Sequence, residues 1–213
     1  MNPAPRDLLL HLLAEKSFQL GDFKLSSGAA SDYYIDCRTT TLHAEGARLV
    51  ARVVTDVIYQ NKWKPKAIGG MTLGADPIVA AVAMLSAQQI QVRAPARTKP
   101  IDAEEFFMHG FIVRKSEKEH GTGRRIEGYQ KKGAKVVIVD DVCTTGKSTI
   151  DAIAAAREFG FEVAGVLCLV EREDAGGRAT VEKAAAPAPF VAIFTAAQVR
   201  EEHAKTQKPA SAS

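Results

Sequence analysis

The chain has 213 residues, 46% of them hydrophobic and 25% charged, with a formal net charge of +3. That length suits one domain with a small appended lobe, the apolar content can bury a core, and so mild a charge does not by itself argue for nucleic acid. Three scattered cysteines (Cys37, Cys143, Cys168) without a C-x-x-C spacing speak against a disulfide scaffold or a zinc site and for reduced thiols in a cytoplasmic protein.

Residues 6–17 read as a helix with Leu9, Leu12 and Leu13 on one face. The run Leu8 to Leu13 is broken by His11 and preceded by Asp7, which suits an amphipathic helix better than a signal peptide. Phe23 and Leu25 flank Lys24 in a short strand, Ser26-Ser27-Gly28 turns, and Tyr33 to Cys37 make a second strand. Residues 43–60 carry a helical stripe of Leu49, Val50, Val53, Val54, Val57 and Ile58. Ala67-Ile68-Gly69-Gly70 is a strand entering a glycine turn, and Pro77 opens a helix reaching about residue 87. Residues 94–105, rich in Pro and charge, form an excursion between elements. A second strand, loop and helix occupy 135–159, closed by Gly160, and further buried strands follow at 163–170 and 190–194. Apolar runs such as 78–85 and 163–170 are far shorter than the roughly 20 residues of a membrane helix. The polar stretch 203–213 is expected to be disordered. Strands alternating with helices predict an α/β fold, a doubly wound and mostly parallel sheet flanked by helices.

The most informative segment runs from Val136 to Ser148. Val136-Val137-Ile138-Val139 reads as a strand buried on both faces of a parallel sheet. Asp140 and Asp141 follow, then the turn Val142-Cys143-Thr144-Thr145-Gly146-Lys147-Ser148 and a helix start. Such a turn lies beyond the carboxyl end of a strand, where open α/β sheets bind ligands, with free N–H groups and a positive dipole end aimed at it. Gly146-Lys147-Ser148 invites a triphosphate-binding G-x-x-x-x-G-K-S reading, but the first glycine of that pattern falls at Asp141, where a carboxylate would face phosphate. The surviving reading gives Thr144 to Ser148 a phosphate monoester and turns the two acids toward a vicinal diol, because ionised carboxylates accept strong hydrogen bonds from hydroxyls. A sugar phosphate fits both halves. Cys143, with no histidine in its motif, reads as a small filler.

Residues 114–132 hold seven Lys/Arg against three Glu, together with Gly121, Gly123 and Gly128. A long basic, glycine-bearing connection inside a compact domain reads as a functional lid, a solvated loop or a nucleic-acid contact. The last lacks interleaved aromatics.

The 136–148 segment resembles the phosphoribosyl-pyrophosphate signature of the type I phosphoribosyltransferases. Arg114-Lys115-x-x-Lys118-x-His120-Gly with Ile126-Glu127-Gly128 resembles the catalytic loop of orotate phosphoribosyltransferases, as does the block Phe23-x-Leu25-Ser26-Ser27-Gly28 with Ser31-x-Tyr33-Tyr34-Ile35-Asp36. The likeness covers roughly residues 5–200. It implies an N-terminal helix and hood segment over 1–40, a phosphoribosyltransferase core over 41–202, a flexible catalytic loop near 114–130 and the tail at 203–213.

The resemblance also implies roles. Lys118 would neutralise charge on departing pyrophosphate, which Arg114, Lys115 and His120 would bind, together with the turn Met71-Thr72-Leu73-Gly74-Ala75-Asp76. Val142 to Ser148 would bind phosphoribosyl pyrophosphate, with Thr144 to Ser148 on the 5-phosphate and Asp140 and Asp141 on the ribose hydroxyls. Tyr33, Tyr34, Thr144 and Arg172 would meet orotate. Mg2+ would be held mainly by substrate, with Asp140 or Asp141 as possible ligands. The loop would reach across a homodimer, with neither a nucleic-acid nor a membrane partner. Pyrophosphate leaving an anomeric carbon builds positive charge on the sugar and negative charge on the leaving group, so cations and water exclusion suit the reaction. A flat anionic base wants an aromatic face and a guanidinium fork.

Lys147 stands where the signature usually has a small residue, and Asp76 stands in a phosphate turn. Some relatives carry lysine in place of Ser26, and residues 97–109 make a longer approach than usual. Tyr33 and Tyr34 alternate faces on a strand, so one is as much a core candidate as a ligand wall. Arg172, between Glu171 and Glu173, also reads as a member of a solvated charge cluster. A phosphoribosyltransferase for another base and a non-catalytic sugar-phosphate sensor are the rival functions.

Overall fold

The computed structural model describes residues 3–24, 30–93, 107–115 and 125–207. The first helix, α1 (Pro5–Lys16), opens on a proline and buries Leu9, Leu13 and Ala14. An antiparallel ribbon follows, β1 (Phe18–Lys24) and β2 (Ala30–Ile35), with Phe18 opposite Ile35 and an irregularity between Leu20 and Phe23. This ribbon falls within the 1–40 segment expected to form the hood and takes that label. Strand β1 starts earlier than expected because pairing reaches back to Phe18, and Leu25 to Ala29 fall outside the described residues. Strand β2 stops at Ile35 because the Asp36 carboxylate accepts the backbone N–H of Arg38 at 3.0 Å, an Asx turn leading into the short α2 (Arg38–Thr41).

The remaining elements are α3 (Ala44–Gln60), β3 (Ala67–Met71), α4 (Asp76–Arg93), β4 (His109–Val113), β5 (Ile126–Gly128), β6 (Lys135–Cys143), α5 (Lys147–Phe159), β7 (Glu162–Glu171), α6 (Arg178–Ala185), β8 (Phe190–Thr195) and α7 (Ala196–Thr206). His43 caps α3 by accepting the Gly46 N–H at 3.4 Å. Helix α4 outruns its expected end near residue 87 because the Gln-rich continuation is compatible with helix until Pro95. Gly160, at φ 101°, closes α5 as its glycine predicts.

The sheet order is β5-β4-β3-β6-β7-β8, parallel throughout except for β5, which runs against β4. The mostly parallel, helix-flanked architecture agrees with the sequence reading. Strand β6 shows why its apolar run is continuous. Val137 and Val139 enter the core shared with α1, α3, α4 and α7, while Val136 and Ile138 enter the opposite core under α5 and α6. All four side chains are 0–1% exposed, each stabilising the fold by an amount of order 1.5–3 kcal/mol.

The disorder expected from residue 203 differs from the structure as far as Thr206, the end of α7. A Thr195–Gln198 capping box starts that helix, and His203 ties its last turn to α1 through the Ala14 carbonyl at 2.7 Å while its ring lies 5.0 Å from that of Phe18. Residues 208–213 lie outside the described range.

Candidate active site

The strand order reverses its direction of growth between β3 and β6, the position at which doubly wound sheets open a crevice. A cavity of about 900 Å3 lies there, beyond the carboxyl ends of both strands. Its floor is Met71 and Thr72 after β3 and Asp140 to Val142 in β6. One wall is the turn before α5, and the facing wall is the hood with Tyr34 and Asp36.

The wall that precedes α5 is built from backbone geometry. Gly146 precedes α5 at φ 77°, in the left-handed region that favours glycine, and no side chain caps the helix. Its first N–H groups are therefore available to an anion, beside the hydroxyls of Thr144, Thr145 and Ser148. The turn is backed by Gly177, where a Cβ would stand 2.1 Å from the Thr144 carbonyl oxygen. A bidentate ion pair between the exposed Arg178 and the buried Glu171 holds that backing segment to the end of β7.

The acid pair is the opposite environment. Asp140 is 6% exposed and accepts the Thr149 hydroxyl at 2.7 Å and the Asp141 N–H at 3.0 Å. Asp141 accepts the Val142 N–H at 2.9 Å. Burial pushes both carboxyls above the ordinary carboxylate range, and the neighbouring Asp141 charge raises Asp140 further. Asp141 lies against Gly74, where a Cβ would stand 2.3 Å from its Oδ1, so the turn after β3 and the acid pair fit together only through that glycine. Among the described residues no group of three or more His, Cys, Asp or Glu could hold a metal ion. Two desolvated carboxylates do fit a hard cation that brings most of its oxygen ligands with the substrate.

The family model for the phosphoribosyl transferase domain matches residues 92–185. An orotate phosphoribosyltransferase of Rhodopirellula baltica is 39% identical over 186 residues, spanning 84% of this chain and 89% of that relative. The chain belongs to the orotate phosphoribosyltransferase family. The Mycobacterium tuberculosis H37Rv orotate phosphoribosyltransferase, solved with Fe(III) dicitrate, superposes with a TM-score of 0.72 at 33% identity, covering 92% of this chain and 99% of that one. The same M. tuberculosis enzyme in complex with 5-phospho-alpha-D-ribosyl 1-diphosphate gives a TM-score of 0.67 at 29% identity, covering 92% and 99%.

In this member of the orotate phosphoribosyltransferase family, Tyr34, Thr72, Gly74, Lys115, Asp140, Asp141, Val142, Thr144, Thr145, Lys147, Ser148 and Arg172 all line one cavity. Cys143 and Gly146 are buried behind its wall. Lys147 is exposed at the first position of α5 and adds charge at the rim. Thr72 and Leu73 are joined by a cis peptide bond in the turn after β3. Asp76 does not line this cavity: it opens α4 beside a separate groove against β4, and burial raises its carboxyl. Arg114 pairs with Glu127 at 3.1 Å beside the β4–β5 pairing. Lys118 and His120 lie outside the described residues, as do Ser26 and residues 97–106.

The two tyrosines part as their alternation allows. Tyr34 is 39% exposed and faces the cavity, whereas Tyr33 is 8% exposed, stacks on Phe18 and lies behind the wall. Arg172 is 3% exposed, which removes the solvated-cluster reading. Sequence reasoning missed Lys24, Asp36 and Arg38. Arg38 forks onto Asp36, with Nε to Oδ1 at 2.8 Å and Nη2 to Oδ2 at 2.9 Å, and this pair lines the same cavity as the acid pair. The Arg38 guanidinium lowers the Asp36 carboxyl, while the Asp36 charge adds to what raises Asp141. The i, i+2 spacing of Asp36 and Arg38 at a strand end was the available signal. No helix among the described residues is long and apolar enough to cross a membrane.

Proposed function

We propose that this chain transfers the 5-phosphoribosyl group of phosphoribosyl pyrophosphate to orotate, giving orotidine 5'-monophosphate and pyrophosphate, the phosphoribosyl step of UMP synthesis. The observation that carries the reading is the juxtaposition in one cavity of an uncapped helix start, an acid pair with Asp140 buried and Asp141 partly so, and an aromatic and guanidinium wall. Each piece matches one part of the two substrates.

The Thr144 to Ser148 turn holds the 5-phosphate with N–H and hydroxyl donors. Asp140 and Asp141 accept the ribose 2- and 3-hydroxyls and fix the anomeric carbon between the two walls. The Thr72–Gly74 turn and the Lys115 ammonium receive the pyrophosphate. Tyr34 lies against the orotate ring, Thr144 borders it, and Arg172 meets its carboxylate. As the C1–pyrophosphate bond lengthens, an oxocarbenium-like sugar forms and the base nitrogen attacks from the opposite face, with inversion. Asp140 and Asp141, negative and close to the ribose, stabilise that positive charge.

The resemblance adds Lys118, Arg114 and His120 to the leaving group, supplied across a homodimer by the partner's loop, in a cytoplasmic enzyme. Mg2+, carried in by the pyrophosphate and touching Asp140 or Asp141, would supply charge neutralisation on the leaving group. The test is consumption of orotate by purified protein with phosphoribosyl pyrophosphate and Mg2+, with uracil, hypoxanthine and adenine in parallel. Orotate is the base expected to disappear, and consumption of another base instead would replace this reading.

A further inference from the structure

Arg172 does not present a free guanidinium fork. Its Nε donates to the Tyr33 hydroxyl at 3.1 Å and to Asp174 Oδ1 at 3.4 Å. Its Nη2 donates to Asp174 Oδ2 at 2.7 Å and to Ser31 Oγ at 3.2 Å. Tyr33 closes the ring of bonds by donating its hydroxyl to Asp174 Oδ1 at 3.0 Å. The guanidinium carbon sits 4.3 Å from the centre of the Tyr33 ring, which itself stacks on Phe18 at 5.4 Å. The backbone is fixed too, since the Arg172 N–H donates to the Cys143 carbonyl at 2.8 Å. Among the described residues only Nη1 is left without a partner, and the residue lines the cavity. Burying a guanidinium to 3% exposure is costly unless its charge and donors are matched, and Asp174 and Tyr33 match them.

We propose that Tyr33, Asp174 and Ser31 form a clamp that positions Arg172, so that a single nitrogen, Nη1, reads the carboxylate of the pyrimidine substrate. The inference rests on the reading of Arg172 as the orotate contact. It makes Tyr33 a positioning residue instead of part of the wall touching the base. It also gives the hood a role in substrate choice: Ser31 and Tyr33 come from β2, whereas Arg172 and Asp174 follow β7. The Arg200–Asp32 ion pair at 2.7 Å ties the same strand to α7.

The test compares wild type with Tyr33→Phe, which keeps the ring and its stacking, and with Asp174→Asn. The readouts are KM for orotate, KM for phosphoribosyl pyrophosphate, and the inhibition constant of uracil, which lacks the carboxylate. For Tyr33→Phe the orotate KM rises by about 3- to 10-fold, the value of one hydrogen bond to a charged partner reduced by the bonds that remain. Asp174→Asn raises it further, because half of the guanidinium loses its anionic partner. In both, the other two constants stay within about twofold, well inside what one lost hydrogen bond is worth. Orotate KM unchanged in a folded Tyr33→Phe protein overturns the clamp. So does a parallel rise of all three constants, which marks a merely structural role. A wild-type protein that leaves orotate untouched overturns the underlying reading and the clamp together.

Discussion

Replacing Thr149 by valine removes the hydroxyl that Asp140 leans on while keeping the branched shape of the side chain. Thr149 is 1% exposed and donates to Asp140 Oδ2 at 2.7 Å. A hydrogen bond to a charged group is worth about 1.5–3 kcal/mol. Because the bond favours the ionised carboxylate, its loss raises the titration of the acid pair by roughly 1–2 pH units, at about 1.36 kcal/mol per unit. In the role proposed for it, the pair is ionised when it accepts the ribose hydroxyls. The acid limb of kcat/KM for phosphoribosyl pyrophosphate therefore moves upward by roughly that amount, while the plateau at higher pH is largely retained. The limb belongs to the pair as a unit, since the two carboxyls titrate together. Steady-state rates from acid to mildly alkaline pH measure it directly. A folded Thr149→Val protein whose acid limb stays in place would refute the assignment of Asp140 and Asp141 as ionised hydroxyl acceptors.

Other expectations follow from the site's geometry and, for Lys118, from the loop role proposed above. In the ligand-free protein, burial holds both carboxyls above their ordinary range, so the folded state keeps protons that the unfolded chain has released. Their contribution is present at acid pH and lost as pH rises from the ordinary carboxylate range through the raised values, Asp140 being pushed up to about 7, so the melting temperature of Asp140→Asn relative to wild type should climb between about pH 4 and pH 7 and level off above that; a pH-independent difference contradicts the burial argument. Gly177→Ala places a methyl 2.1 Å from the Thr144 carbonyl oxygen, backbone against backbone. It should weaken phosphoribosyl pyrophosphate binding by at least about tenfold, at 1.4 kcal/mol per decade, as read by calorimetry. Lys118→Ala should lower kcat by about 10²–10³, the usual loss when a donor to developing negative charge is removed. Mixing it with inactive Asp141→Asn should restore activity through hybrid dimers, and verified hybrids without activity would argue against a shared loop.

The fold was legible where burial forces a pattern. Val136 to Val139 must be apolar on both faces of a central parallel strand, and Gly160 must supply a left-handed helix end, so both elements stand in the sequence. The three-residue β5 and the hood register were not legible, because each depends on pairing across the chain, as Phe18 does with Ile35. The turn before α5 and the acid pair were readable because the local chain contains the whole motif. The environment of Arg172 was not: its neighbours Glu171 and Glu173 look like surface charge, and Tyr33, which stacks on it, lies 139 positions away in sequence. Asp76 shows the converse, a carboxylate inside a phosphate motif that the fold turns toward another groove.

One cavity is proposed to bring a phosphoribosyl donor and a carboxylated pyrimidine together. The most direct measurement is product identification by mass spectrometry after incubating the protein with phosphoribosyl pyrophosphate, Mg2+ and an equimolar mixture of orotate, uracil, hypoxanthine and adenine. Orotidine 5'-monophosphate and pyrophosphate are expected in equal amounts, with the other bases left intact. Phosphoribosyl pyrophosphate left unconsumed, or a nucleotide of one of the other three bases, would contradict it.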